Sequence, residues 1–226
     1  MFKDLNRFEK WYLIIGITIN LIISWYTKSA FLAIVNGILS LFVGVYNAKG
    51  KMIVFVFTIV ETLTYCVLSW QQKYYSEVFI NVCIHMPITI WSIINWSRNQ
   101  NKKTETITVV TQTRKQLIMA VGSQVLLSFV YYYFFKMVGN EMLLVSTINM
   151  ALTILALYFN AIMSEYTFVC FLASAAFKST LWIAPILKGD LSSVPVLVGS
   201  IMYIVIDAYG LYNWRKLKKE QNQSAH

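Results

Sequence analysis

Eight runs of about twenty residues, nearly free of charge, govern what this chain can become. They fall at about 11–27, 29–48, 52–72, 77–97, 116–135, 142–163, 166–187 and 191–214. A hydrocarbon layer about 30 Å thick takes about 20 helical residues to cross. Within it, every backbone N–H and C=O must find its partner inside a helix or a closed barrel. Barrel strands would alternate polar and apolar residues over about ten positions, and these runs do not alternate. The expectation is therefore an all-α, polytopic membrane protein of about eight transmembrane helices. The first is the least well framed, because only Trp11 to Thr27 separates Lys10 from Lys28; it either spans or lies partly in the interface. Composition agrees: charged residues are 13% of the chain, against about 25% in soluble domains.

The formal charge of +9 follows from topology rather than from nucleic-acid binding. With the N-terminus inside, one side holds Lys3, Arg7, Lys10, Lys49, Lys51, Arg98, Lys102, Lys103, Arg114, Lys115, Arg215, Lys216, Lys218 and Lys219. The other holds Lys28, Lys73, Lys136 and Lys188. Fourteen cations against four is a positive-inside bias. It predicts a multi-pass protein of the cell membrane with both termini cytoplasmic and the lipid bilayer as its partner. No small-residue cleavage site follows the first run, so no cleaved leader is expected. Cys66, Cys83 and Cys170 lie inside apolar runs without ligand spacing; they predict neither a disulfide nor a metal site, and no cofactor is expected.

One helix ending is written twice. Trp91-Ser92-Ile93-Ile94-Asn95-Trp96-Ser97-Arg98 aligns with Tyr209-Gly210-Leu211-Tyr212-Asn213-Trp214-Arg215-Lys216 at a shift of 118. Ile34-Val35-Asn36 also matches Thr147-Ile148-Asn149, and Tyr46-Asn47-Ala48 resembles the stretch Tyr158 to Ala161, at a shift of about 113. About five residues are thus added later in the second copy. Both triplets start outside and end inside, so a single intervening helix must supply an inversion. The predicted plan is a tail and additional helix over 1–28, a three-helix bundle over 29–97, a basic loop and linker helix over 98–141, a second bundle over 142–214 and a basic tail over 215–226. Such a parallel repeat occurs in some transporters. The Thr-rich centre of the 98–115 loop is expected to be a solvated linker, and the tail after Lys219 to fray.

Polar side chains within lipid are costly and mark pathways or one another. Glu61 lies in the third helix and Lys178 in the seventh. A shift of 118 places Glu61 against Ser179, so the two charges are expected at nearly equal depth, as an ion pair closing a path or as separately satisfied packing residues. His85 and Thr89, four apart and on one helix face, map onto Tyr203 and Asp207 of the last helix. Trp91 follows on the same helix as His85. Asn36 and Asn149 coincide under the repeat, and helix–helix hydrogen bonding explains them as well as solute contact does. Trp182 is by default an interfacial belt residue, with stacking on a flat ring the alternative. His85 is equally well explained as a core histidine bonded to a carbonyl. Pro87 and Pro185 interrupt helices and Pro195 lies near the start of the last; such kinks can serve as hinges. No nucleophile–base constellation or phosphate-cradling loop is present, which argues against an enzyme.

The closing stretch Tyr209 to Lys216, the Pro-containing stretch Pro87 to Trp96 and the inner loop Ala48-Lys49-Gly50-Lys51 resemble the PnuC-type family of bacterial vitamin and nucleoside permeases. The resemblance covers helices 2–8. It implies a three-one-three arrangement related to SWEET-type sugar carriers, and facilitated diffusion of a nucleoside-like vitamin, typically nicotinamide riboside. Members handling that solute carry a Trp-x-x-Trp-x-x-Asn pattern early in the penultimate helix; here Tyr166 to Ser174 lacks it. Deoxynucleosides, thiamine and riboflavin therefore stay open as solutes, and a non-transporting receptor or assembly subunit remains as a different class. Monomer and homo-oligomer are both left open.

Overall fold

The computed structural model describes residues 4–27, 31–71, 78, 81–101, 106–137, 142–188 and 194–224. Within them the chain is almost wholly helical. Helix α1 is Arg7–Thr27, α2 Phe31–Ala48 and α3 Val54–Gln71. Helix α4 opens with a π-helical turn, Asn81–His85, and continues as the α-helix Met86–Asn99. Then come α5, Arg114–Met137, α6, Leu143–Ala161, α7, Thr167–Leu187, and α8, Val194–Ser224. The wide turn in α4 has a local cause. Pro87 has no N–H to give the carbonyl four residues back and its ring crowds that carbonyl, so the helix loosens just before it.

The helices pack as a ring. α2 packs on α3, α3 on α4, α4 on α6, α6 on α7, α7 on α8, and α8 returns to α2. α1 lies over the α2–α8 seam, and α5 rests on α6. The surface is turned inside out relative to a soluble protein. Gln124 is the residue α5 buries, while Ile118, Leu126, Phe129 and Val130 on the same helix are 61–70% exposed. A helix that hides its amide and presents its aliphatic face is surrounded by lipid. The chain is a polytopic membrane protein, as its uncharged runs predict.

One end of the ring is densely packed. There α2 and α6 stop through the same turn built twice. Gly50 N–H bonds Asn47 O at 2.9 Å and Lys51 N–H bonds Tyr46 O at 3.1 Å; Met163 N–H bonds Asn160 O at 3.1 Å and Ser164 N–H bonds Phe159 O at 2.8 Å. Both turns pivot on a left-handed residue, Gly50 at φ 62° and Met163 at φ 53°. This is the usual way a helix caps its last carbonyls. Glycine adopts it freely, whereas Met163 gives up about 1–2 kcal/mol to do so.

The segment after α4 departs from expectation. It forms a short antiparallel pair, Gln100–Asn101 with Thr106–Ile107, and then runs as a strap across both turns. Ile107 N–H bonds Gly50 O at 3.1 Å, Val110 N–H bonds Met163 O at 2.9 Å, and Glu165 N–H bonds Val110 O at 3.3 Å. Ile107 is fully buried and Val109 nearly so, with Thr108 between them exposed. This part of the loop is therefore not a solvated linker: its alternating Ile107 and Val109 are apolar enough to be drawn under the bundle. Nor does the tail fray at Lys219. α8 continues through Ser224 because Gln221 accepts from Val109 N–H at 3.0 Å and donates to Ile107 O at 2.9 Å, while Lys218 pairs with Glu165 at 2.7 Å. Ile107→Asp should lower the detergent-solubilised thermal midpoint by more than about 5 °C, because a buried charge would lack a partner. Thr108→Asp, one residue on, should leave the midpoint within about 2 °C.

Candidate functional site

The twice-written helix ending has a direct structural use. Trp96 at the end of α4 donates its indole N–H to Asn160 O at 2.7 Å, and Asn95 Nδ2 donates to Ala161 O at 2.9 Å. In the other half, Trp214 donates to Asn47 O at 3.1 Å and Asn213 Nδ2 to Ala48 O at 2.8 Å. The Asn-Trp pair of each half thus caps the last two carbonyls of the other half's first helix. The two indoles meet between them, 5.9 Å apart, and are 0% and 1% exposed. Phe55 stands edge-on to Trp96 and Phe168 to Trp214. These contacts close one end of the ring.

Further along the ring interior, the halves again repeat a contact. Asn36 Nδ2 on α2 donates to Glu61 O and to Thr64 Oγ1 on α3, both at 2.8 Å. Asn149 Oδ1 on α6 accepts from Ser174 Oγ on α7 at 3.0 Å. Glu61 lies 25 residues after Asn36 and Ser174 lies 25 after Asn149. Helices α3 and α7 also begin 113 residues apart, at Val54 and Thr167. The counterpart of Glu61 is therefore Ser174 rather than Ser179, and the five added residues fall somewhere between Ser174 and Tyr209. Lys178 lies four residues beyond that counterpart, about 6 Å along the helix.

Glu61 and Lys178 accordingly do not form the expected ion pair. The Lys178 ammonium sits 5.9 Å from the centre of the Tyr203 ring on α8, a cation–π contact, and its charge still reaches Glu61. Glu61 also acts electrostatically on Tyr203, which shares a wall with Ser40 of α2. Glu61, Lys178 and Tyr203 are each only partly buried. Because α3 and α7 stand on opposite sides of the ring, side chains that interact between them face its interior. His85 is held by Thr62 across the α3–α4 contact, Nδ1 to Oγ1 at 3.2 Å, so its partner is a hydroxyl rather than a carbonyl. Thr89 on α4 and Asp207 on α8 are buried, and Asp207 acts on both Tyr12 and Tyr203.

Trp91 is not brought to this group. It is 41% exposed and leans on Tyr158 at 6.0 Å, at the α4–α6 seam. The side chain of Trp182 lies outside the described residues. Three contributors were missed by inspection of the chain: Ser40, Thr62 and Glu9. Glu9 is 1% exposed and binds Lys49 at 2.8 Å and the Tyr209 hydroxyl at 2.7 Å, tying α1 to both halves. Its trace in the sequence is Asn6-x-x-Glu9. Asn6 N–H bonds Glu9 Oε2 at 2.8 Å and Glu9 N–H bonds Asn6 Oδ1 at 2.9 Å, a capping box.

Among the described residues no group of three His, Cys, Asp or Glu is placed to hold a metal ion. Replacing either Trp96 or Trp214 by Phe removes one of the two donors on a buried carbonyl of the opposite half, leaving Met163 N–H on Asn160 O or Gly50 N–H on Asn47 O. Each change should cost about 0.5–1.5 kcal/mol, read as a lower thermal midpoint. Because the two indoles touch, the double variant should depart from the sum of the singles.

Comparison with known proteins bears on the whole architecture. The profile of a family described as nicotinamide mononucleotide transporter matches residues 30–216. A nicotinamide riboside transporter PnuC from Neisseria mucosa is 21% identical over 226 residues, covering 98% of this chain and 86% of that protein. A solved structure described as the vitamin B3 transporter PnuC superposes with a TM-score of 0.81 at 21% identity, over 96% of this chain and 94% of the other.

Proposed function

The chain belongs to the nicotinamide mononucleotide transporter family, and on that footing we propose that it is a permease of the bacterial cell membrane that takes up nicotinamide riboside by facilitated diffusion. The observation that carries the proposal is the trio facing the ring interior: Glu61 on α3 and Lys178 on α7 carry opposite charges without closing into a direct ion pair, and the Lys178 ammonium lies over the aromatic ring of Tyr203 on α8. A pyridinium ring is flat and cationic. A carboxylate and an aromatic face that already carries an ammonium are the groups such a ring needs. A permease also has to release what it binds. A site made of partial, unsaturated interactions suits that better than a satisfied one.

The densely packed end carries Lys49, Lys51, Arg98, Arg114, Lys115, Arg215, Lys216, Lys218 and Lys219. The positive-inside bias places that end, and both termini, in the cytoplasm. For the interior to be exposed to one side at a time, the crossed Asn-Trp contacts hold while it opens outward and part when it opens to the cytoplasm.

Purified protein in liposomes should equilibrate labelled nicotinamide riboside across the bilayer without an ion gradient, and empty liposomes should not. Equilibration of thymidine, thiamine or riboflavin in its place would reassign the solute within the same mechanism. No movement of any of them would favour a receptor or assembly subunit. Glu61→Gln should slow nicotinamide riboside uptake by about tenfold, the loss of roughly one charge-assisted contact, and should spare any uncharged nucleoside the protein also carries.

A further inference from the structure

Helix α1 has no counterpart in the repeat, and it is not placed evenly between the halves. The halves meet along two seams, α2 with α8 and α4 with α6. α1 lies over the first. Its Glu9 carboxylate joins the two sides of that seam. It binds Lys49, which follows α2, at 2.8 Å and accepts from the Tyr209 hydroxyl of α8 at 2.7 Å. Asn6 Nδ2 donates to the same hydroxyl at 2.7 Å, and Tyr12 donates to Met202 O of α8 at 3.2 Å. Gly16 lets α1 sit close to both helices: a Cβ there would stand 2.8 Å from Leu41 of α2 and 3.0 Å from Met202.

The other seam carries the same crossed caps but, among the described residues, no such staple. Lys49 and Tyr209 correspond, at shifts of 113 and 118, to Ile162 and Trp91. Neither has a charge or a hydroxyl to offer a carboxylate. Trp91 leans on Tyr158 of α6 and is 41% exposed. The strap bonds to both halves and does not distinguish the seams. Separation at α4–α6 is therefore resisted mainly by the Asn95 and Trp96 contacts. At α2–α8 the Asn213 and Trp214 contacts are backed by an ion pair whose carboxylate is 1% exposed. Pulling one partner out of such a pair strands the other, which is costly.

We propose that α1 makes the α2–α8 seam the fixed side of the transport cycle, so that the interior opens to the cytoplasm by parting of α4 from α6. The inference rests on the permease reading above and names which of the two sets of crossed contacts gives way. Parting one set is enough to open the interior. Trp96 leaves Asn160 O and moves away from Trp214, while Trp214 stays on Asn47 O. Asn160 O is not orphaned by this, because Met163 N–H still bonds it. Two halves with matched contacts alone would have no preferred side on which to part. The staple on one seam supplies the preference.

Cysteine pairs at matched places test this in full-length protein reconstituted in liposomes, with Cys66, Cys83 and Cys170 replaced by Ala. Asn95→Cys with Ala161→Cys spans the α4–α6 seam, and Asn213→Cys with Ala48→Cys spans the α2–α8 seam. Each pair is compared with itself, oxidised and reduced. The disulfide across α4–α6 should slow nicotinamide riboside equilibration by about tenfold or more, and the one across α2–α8 by less than about twofold, since only the first locks a moving contact. Spin labels that leave the caps intact read the same motion where a disulfide does not form. Ser97→Cys with Tyr166→Cys reports on the first seam and the matched Arg215→Cys with Ile53→Cys on the second. Nicotinamide riboside should add a longer distance to the first pair only. If wild type moves nicotinamide riboside but both disulfides block it, neither does, or only the α2–α8 one does, the fixed seam is overturned and the permease reading stands. A solute-dependent distance across both seams overturns it as well. If wild type moves no solute, the permease reading itself falls, and the fixed seam with it.

Discussion

The crossed caps at the densely packed end are the constraint on which the other contacts depend. The last carbonyls of any helix lack intrahelical donors, and in a membrane protein water is not freely available to replace them. α2 and α6 each cap part of this need locally, through the Gly50 and Met163 turns. The remainder comes from the opposite half, through Trp214 and Asn213 for α2 and through Trp96 and Asn95 for α6. Neither half can therefore be complete alone at this end. The strap from Ile107 to Val110 and the Glu9 contacts add to the same closure, and each joins both halves. The opposite end of the ring has no comparable set of bonds among the described residues.

Much of this was legible because it was written twice. The Asn-Trp endings and the Tyr46-Asn47-Ala48 echo were visible as separate similarities, at shifts of 118 and about 113. The structure shows that they are two sides of one contact, donors in one motif and acceptors in the other. The disagreement between the shifts also had a physical meaning: the added residues lie between Ser174 and Tyr209. Applying 118 uniformly set Glu61 beside Lys178 and suggested a pair. The hydrogen bonds from Asn36 and Asn149 separate them by about one helical turn instead.

What could not be read was short and local. The strap rests on two apolar residues, Ile107 and Val109, in a threonine-rich loop, and two alternating positions are too few to announce a buried strand. Gln221 looked like tail because nothing in its neighbourhood is apolar; what orders it is the strap's backbone, 112 and 114 residues away in sequence. Asn6-x-x-Glu9 is a legible capping box, but the chain does not say that the same carboxylate will go on to meet Lys49 and Tyr209. Trp91 looked functional because of its place in a repeated motif, yet that repeat fixes depth along α4, not direction around it. Its counterpart Tyr209 faces α1, and Trp91 leans on Tyr158.

The offset between Glu61 and Lys178 also bears on why a permease would hold two opposite charges without joining them. A closed pair within lipid would recover most of its desolvation cost, and a solute arriving to compete would have to break it and strand one charge. Separating the two by a turn leaves each only partly satisfied. Lys178 is occupied by the face of Tyr203, a contact worth about 0.5–2 kcal/mol, weak enough for a cationic ring to displace. Glu61 keeps its carboxylate toward the interior while its backbone carbonyl is tied down by Asn36 and Thr64. The backbone is thus fixed by the helix contact while the carboxylate makes no direct ion pair with Lys178, which under the proposed function leaves it available to a cationic ring.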